Sequence, residues 1–167
     1  SLLHRLVILG AVGPDAIDAE LARDDTATGR RQAAYARAAR PTEQAKEEAW
    51  AQVVETDELP NALVFAAVEG FAQPEQHELV RPYVGRYLDA VPRVWSERTS
   101  DIARTIITRL FPRILSDQTT ADTVRAWLDH AEAPPAPRRL VVEGLADLDR
   151  ALRAQACDHE AATSGHL

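Results

Sequence analysis

A single cysteine, Cys157, stands among 167 residues. It has no partner for an internal disulfide, so a reducing, cytoplasmic setting is expected. Seven glycines and ten prolines are too few for a collagen-like or low-complexity chain. No apolar run approaches the roughly 20 residues of a membrane span, so no membrane partner is expected. No charged-then-apolar leader with a small-residue cleavage site is visible either. Bases are also short: 19 against 26 acids, a net charge of −7. Phosphate binding needs the opposite balance, so no nucleic-acid partner is expected. Methionine is absent, and Ser1 leads directly into Leu2-Leu3-His4-Arg5-Leu6-Val7-Ile8-Leu9. A piece cut from a longer protein is the expected origin of such a start. Lysine occurs once, at Lys46, while alanine is abundant. That bias is read first as GC-rich coding and then as helix propensity.

What is present is helical period. Val80, Tyr83, Val84, Tyr87, Leu88 and Val91 fall at i, i+3, i+4, i+7, i+8 and i+11, one stripe of an amphipathic helix. Ile102, Ala103, Ile106, Ile107 and Leu110 repeat it. Val124-Trp127-Leu128-Ala131 and Val141-Leu145-Leu148-Leu152 form two more seams. No sustained alternation suggests a strand. Gly10 and Gly13-Pro14 mark one boundary, and Thr26 and Thr42 are N-cap candidates. Leu59-Pro60 and Gln73-Pro74 start further helices, with Gly70 between them. Pro82 should split its region near Arg81. Thr99-Ser100-Asp101 and Thr119-Thr120 are the next expected caps, and Pro134-Pro135-Ala136-Pro137 is expected to be a non-helical linker. One helical domain over 1–158 follows, with a disordered tail at 159–167. The spacing of Trp50, Trp95 and Trp127 is a faint echo of a helix-pair repeat. The expected fold is all-α, antiparallel helix pairs in an armadillo/HEAT-like α-α superhelix. Its core should include Trp50, Phe65, Tyr83, Trp95, Ile106, Trp127 and Leu145.

Few residues promise chemistry. His77-Glu78 begins a zinc-peptidase pattern, but Arg81 occupies the place of the second histidine. His77 is read as a solvated helix residue, and no metal or catalytic residue is assigned. Cys157 lies beside Asp158, which disfavours its thiolate. The serines occupy no nucleophile elbow, and the glycines are too dispersed for a phosphate loop. Arginines remain. Arg30, Arg31, Arg98, Arg104, Arg138 and Arg139 could bind carboxylates bidentately. Intramolecular ion pairing with the excess acids is the plainer role. Arg138 and Arg139 open the last helix, where the macrodipole disfavours cations, so they suggest an acidic partner.

The stretch Glu20–Arg31 resembles part of the C-terminal helical domain of bacterial M1-family zinc aminopeptidases, the actinobacterial aminopeptidase N type. The likeness continues through Leu59–Ala62, Gly70–Pro74, Arg81–Tyr87, Val94–Arg98, Arg138–Leu140 and Arg150–Gln155, across about residues 1–157. It implies a domain that closes over an upstream catalytic domain, gates the substrate chamber and lines it. The parent would use zinc to remove N-terminal residues from peptides. Its His-Glu-x-x-His helix and amine-reading motif lie upstream, so no catalytic residue carries over and this segment alone should be inactive. The implied partners are the upstream domain and peptide substrates, or, in isolation, a second copy of the chain. The surplus of leucine in the first helix marks the surface for that contact. A stand-alone helical-repeat scaffold that binds another protein is the alternative.

Overall fold

The structure is a computed structural model that describes residues 2–164, with side chains for residues 2–158. Ten α-helices follow one another: α1 (Leu2–Ile8), α2 (Pro14–Arg23), α3 (Ala27–Ala39), α4 (Glu43–Trp50), α5 (Asn61–Phe71), α6 (His77–Val80), α7 (Tyr83–Glu97), α8 (Ser100–Arg109), α9 (Gln118–His130) and α10 (Pro135–Ser164). No strand occurs among the described residues. Helix α4 runs on into a π-helical turn, Ala51–Glu55, and a 3₁₀ turn, Pro74–Gln76, leads into α6.

The local signals explain most boundaries. Thr26 and Thr42 cap α3 and α4, their hydroxyls accepting from Gly29 N at 3.1 Å and Ala45 N at 3.2 Å. Pro14 takes the first turn of α2, where no N–H is needed. Gly10 ends α1 with a φ of +70°, a conformation that suits glycine. Pro82 separates α6 from α7, as its missing N–H requires.

Several expectations need correction. Asp117, not Thr119 or Thr120, caps α9, its carboxylate accepting from Thr120 N at 2.8 Å. Thr99 precedes α8 without a side-chain cap. The Pro134–Pro137 run is not wholly a linker. Pro135 and Pro137 lie in the first turn of α10, where an absent N–H costs nothing. Helix α10 then runs past residue 158 to Ser164. Residues 165–167 of the expected tail lie outside the described residues. Helix α7 passes through Pro92 without ending. Gly70 is no boundary but an interior residue of α5, pressed against α3: a Cβ there would stand 2.2 Å from Tyr35 O.

The main core gathers Trp50, Val68, Phe71, Tyr83, Tyr87, Ile107, Phe111, Leu115 and Leu148 from α4 to α10. Its rings interlock, Phe71 meeting Tyr83 edge-on at 5.0 Å between centroids and Tyr87 meeting Phe111 at 5.9 Å. A smaller cluster, Val7, Ile17, Ala33 and Ala36, holds α1 and α2 on the other side of α3. Of the expected core, Trp50, Tyr83 and Ile106 are buried, and Trp95, Trp127 and Leu145 are half-buried against it. Phe65 is 38 % exposed. Its neighbours Val64 and Val68 turn inward, which leaves Phe65 on the outer side of α5.

Candidate functional site

Four of the six arginines are engaged by the chain itself. Arg30 is exposed and pairs with Asp25 at 2.7 Å across the start of α3. Arg31 donates to Thr28 Oγ1 at 3.1 Å. Arg98, at the end of α7, is almost fully buried and bridges Asp57 and the Val53 carbonyl. Arg139 pairs with Glu143 one turn along α10 at 2.9 Å. All four are held within the chain, and the three ion pairs, of Arg30, Arg98 and Arg139, are mostly solvent-facing and of small energetic weight. Arg104 on α8 is exposed, Arg138 on α10 is half-exposed, and neither makes a side-chain ion pair among the described residues. They retain the five-donor fork that a partner's carboxylate would need.

A buried polar junction lies where three helices end. Lys46, on α4, has no exposed surface. Its Nζ donates to Ala38 O at 2.7 Å and to Phe71 O at 2.8 Å, carbonyls at the C-termini of α3 and α5. Those carbonyls have no intrahelical donor, and the helix dipoles there favour a cation. Gln76 Nε2 donates to Ala39 O at 2.9 Å and Ile8 O at 3.2 Å, adding the end of α1. Gln73 Nε2 donates to Gly70 O at 3.0 Å and Glu69 O at 3.1 Å. Burial pushes the Lys46 amine down to about 7. Sequence reasoning gives Lys46 and Gln76 no role and reads Gln73 only as part of a helix start. The one available signal was compositional, a single lysine where every other cation is arginine.

The densest ionic cluster lies on the same helix. Arg86 on α7 grips Glu47 with two bonds, 2.5 and 2.9 Å, and reaches Glu55 at 3.1 Å. Its guanidinium lies 4.9 Å from the Tyr83 ring and 5.1 Å from Trp50. Tyr83 donates to Glu47 at 3.0 Å. Hydrogen bonds from Arg86 and then Tyr83 hold the Glu47 carboxyl below its usual range. Burial, and after it the bond to Glu47, pushes the Tyr83 phenol up to about 12. Every member is satisfied within the chain, so the cluster fastens α7 to α4. A shallow groove of about 620 Å³ opens elsewhere, between α3, α5 and α8, beside Tyr35, Glu69, Arg109 and Arg113. Arg109 is engaged there by Glu69 at 2.7 Å.

The donor set does not fit a zinc site. His77 opens α6, and Arg81, four residues on, is turned to Asp117 at 2.9 Å and Glu78 at 3.5 Å. Among the described residues no three His, Cys, Asp or Glu side chains stand together as metal ligands require. Cys157 is free and exposed. No helix is long and apolar enough to cross a membrane among the described residues.

The described residues thus form helices packed around an aromatic core. The family model of the ERAP1-like C-terminal domain matches residues 1–150. The chain belongs to this family. It is also similar to an aminopeptidase N of Streptomyces lividans, 48 % identical over 162 residues. That match takes in 97 % of the chain but 19 % of the relative. This member of the ERAP1-like C-terminal domain family thus spans about a fifth of the length of the relative it matches. The resemblance carried by Glu20–Arg31 and the later motifs is borne out: the chain corresponds to the C-terminal domain of an aminopeptidase N-like protein.

Proposed function

We propose that the chain is the C-terminal domain of a cytoplasmic zinc metallo-aminopeptidase that removes N-terminal residues from peptides. Its part is to gate and line the substrate chamber, while the metal and the hydrolytic residues belong to an upstream domain. The observation that carries this reading is the family match over residues 1–150, together with the 48 % identity to an aminopeptidase N. The helices form antiparallel pairs stacked as an armadillo/HEAT-like superhelix. The chain of packing supports this: α3 lies on α2 and α5, α5 on α8, and α8 on α7 and α10. Arg104 and Arg138, which make no side-chain ion pair among the described residues, are the residues offered to a peptide carboxylate or an acidic partner surface; the other four arginines are already engaged by the chain.

Kinetics on the intact enzyme test the role. Arg104→Ala/Arg138→Ala should raise KM for long peptides and leave kcat/KM for a single-residue chromogenic amide unchanged. Equal effects on both substrates, or on neither, would remove these arginines from peptide contact. The 167-residue chain alone should show background aminopeptidase activity and no stoichiometric zinc after dialysis. Hydrolysis by this chain itself would overturn the assignment of catalysis to another domain.

A further inference from the structure

We infer that the outer face of α1 is a docking surface for an apolar helix of the chain segment that precedes it in the parent protein. The inference rests on the reading of this chain as one domain of a longer enzyme, and it names the surface that joins the two parts.

Helix α1 carries two apolar faces, and the structure uses one. Val7 is fully buried against α3, with Leu3 packed beside it. Leu2, Leu6 and Leu9 stand at i, i+4 and i+7, a stripe of their own, with Leu9 just past the end of α1, where its N–H still donates to Arg5 O at 3.1 Å. Leu2 is 76 % exposed, Leu9 is 63 % exposed, and Leu6 is half-buried. Stacked helical folds finish in a polar outer face, because a terminal layer has no neighbour to cover it. On α10 the side chains from Arg153 to Asp158 are exposed and polar or small, and Val142, 47 % exposed, is its one exposed large apolar side chain among the described residues. The α1 end presents leucine, the pattern of an interior layer.

Two considerations choose the occupant. The Streptomyces relative extends far beyond the match, which takes in 19 % of it, so a family member of that length has chain to supply the covering helix. The face is also small. Two leucines and the edge of a third fall far short of the roughly 800 Å² per partner of a stable dimer. They suit one helix laid on another, with chain connectivity replacing the entropy cost of association.

The test compares the 167-residue chain with the same chain extended upstream by the adjoining helices of the parent, each with and without Leu2→Glu/Leu9→Glu. Extension should raise Tm by about 5 °C or more. The double variant should abolish that rise, yet leave the unextended chain within about 2 °C of its own Tm. A rise that survives the double variant, or no rise at all, overturns the inference. So does a large loss of Tm from the double variant in the unextended chain, since the leucines would then be buried already. Sedimentation of the unextended chain supplies the other arm: a tight dimer that the double variant dissolves, with no stabilisation from extension, makes the occupant a second copy. Stability is read without substrate, so a parent that docks α1 but cleaves no peptide refutes the aminopeptidase reading alone.

Discussion

Lysine is the rare cation in this chain, and the place it occupies explains the choice. A compact amine on a flexible stem can reach two carbonyls at the converging ends of α3 and α5; the wide planar guanidinium cannot. A neutral amine has two N–H bonds, and Lys46 has two acceptors, Ala38 O and Phe71 O. The third proton of the ammonium has no further protein acceptor among its described bonds, and burial penalises the charge. Folding thus lowers this amine from 10.5 to about 7. Between those values the unfolded chain holds a proton that the folded chain has released, so stability rises with pH. Below about 7 both states are protonated and this dependence vanishes. The expected slope is about 1.4 kcal/mol per pH unit within the window. Urea unfolding at pH 7, 8 and 9 measures it. Lys46→Met should flatten the slope and, at pH 9, cost roughly 1–3 kcal/mol by orphaning two buried carbonyls. A slope unchanged in the variant would assign the pH dependence to another group.

At the scale of elements, amphipathic period made the helices legible, and hydroxyl caps made the starts of α3 and α4 legible. Glycine and proline were ambiguous because each has two structural uses. Gly70 looks like punctuation in sequence, yet its lack of a side chain lets α5 approach the backbone of α3. Pro135 and Pro137 look like helix breakers, yet the first turn of a helix accepts them. Only the position of a neighbour, or of the helix start, separates these uses. Gly70→Ala should therefore cost roughly 1–3 kcal/mol, since its Cβ meets the Tyr35 carbonyl and not a flexible side-chain tip. Gly85, inside α7, has nothing within 4 Å of a built Cβ. Gly85→Ala should stabilise by about 0.5–1 kcal/mol through helix propensity. Chemical denaturation of the two variants checks both signs, and equal effects would show that the close approach of α3 and α5 has no energetic consequence.

Across the whole molecule, apolar burial is divided unequally. The aromatic core ties α4 to α10 together, whereas α1 and α2 are held by the cluster of Val7, Ile17, Ala33 and Ala36. The sequence displayed the leucine surplus of the first helix but not this division, because the separating element, α3, shows the same alanine on both sides. Ala33 and Ala36 face the small cluster and Ala38 the large one. The candidate arginines were legible as a class for a related reason: charge is visible in sequence, whereas the acid that engages each one depends on the fold. Arg98 meets Asp57 across 41 residues, a pairing no local pattern encodes. Unequal burial should appear as unequal opening, since a segment with few apolar contacts unfolds below the global free energy. In native-state hydrogen exchange, amides of α1 and α2 should exchange through local opening that added urea barely accelerates. Amides of α5, α7 and α8 should exchange only through global unfolding, with the full urea dependence. The C-terminal turn of α1 is the place to look first, because Gln76 also holds Ile8 O there. Gln76→Ala should speed exchange across α1 and leave α7 at its original rate. If α1 and α7 instead respond to urea with one slope, the two clusters open as a single cooperative unit and the division has no thermodynamic meaning.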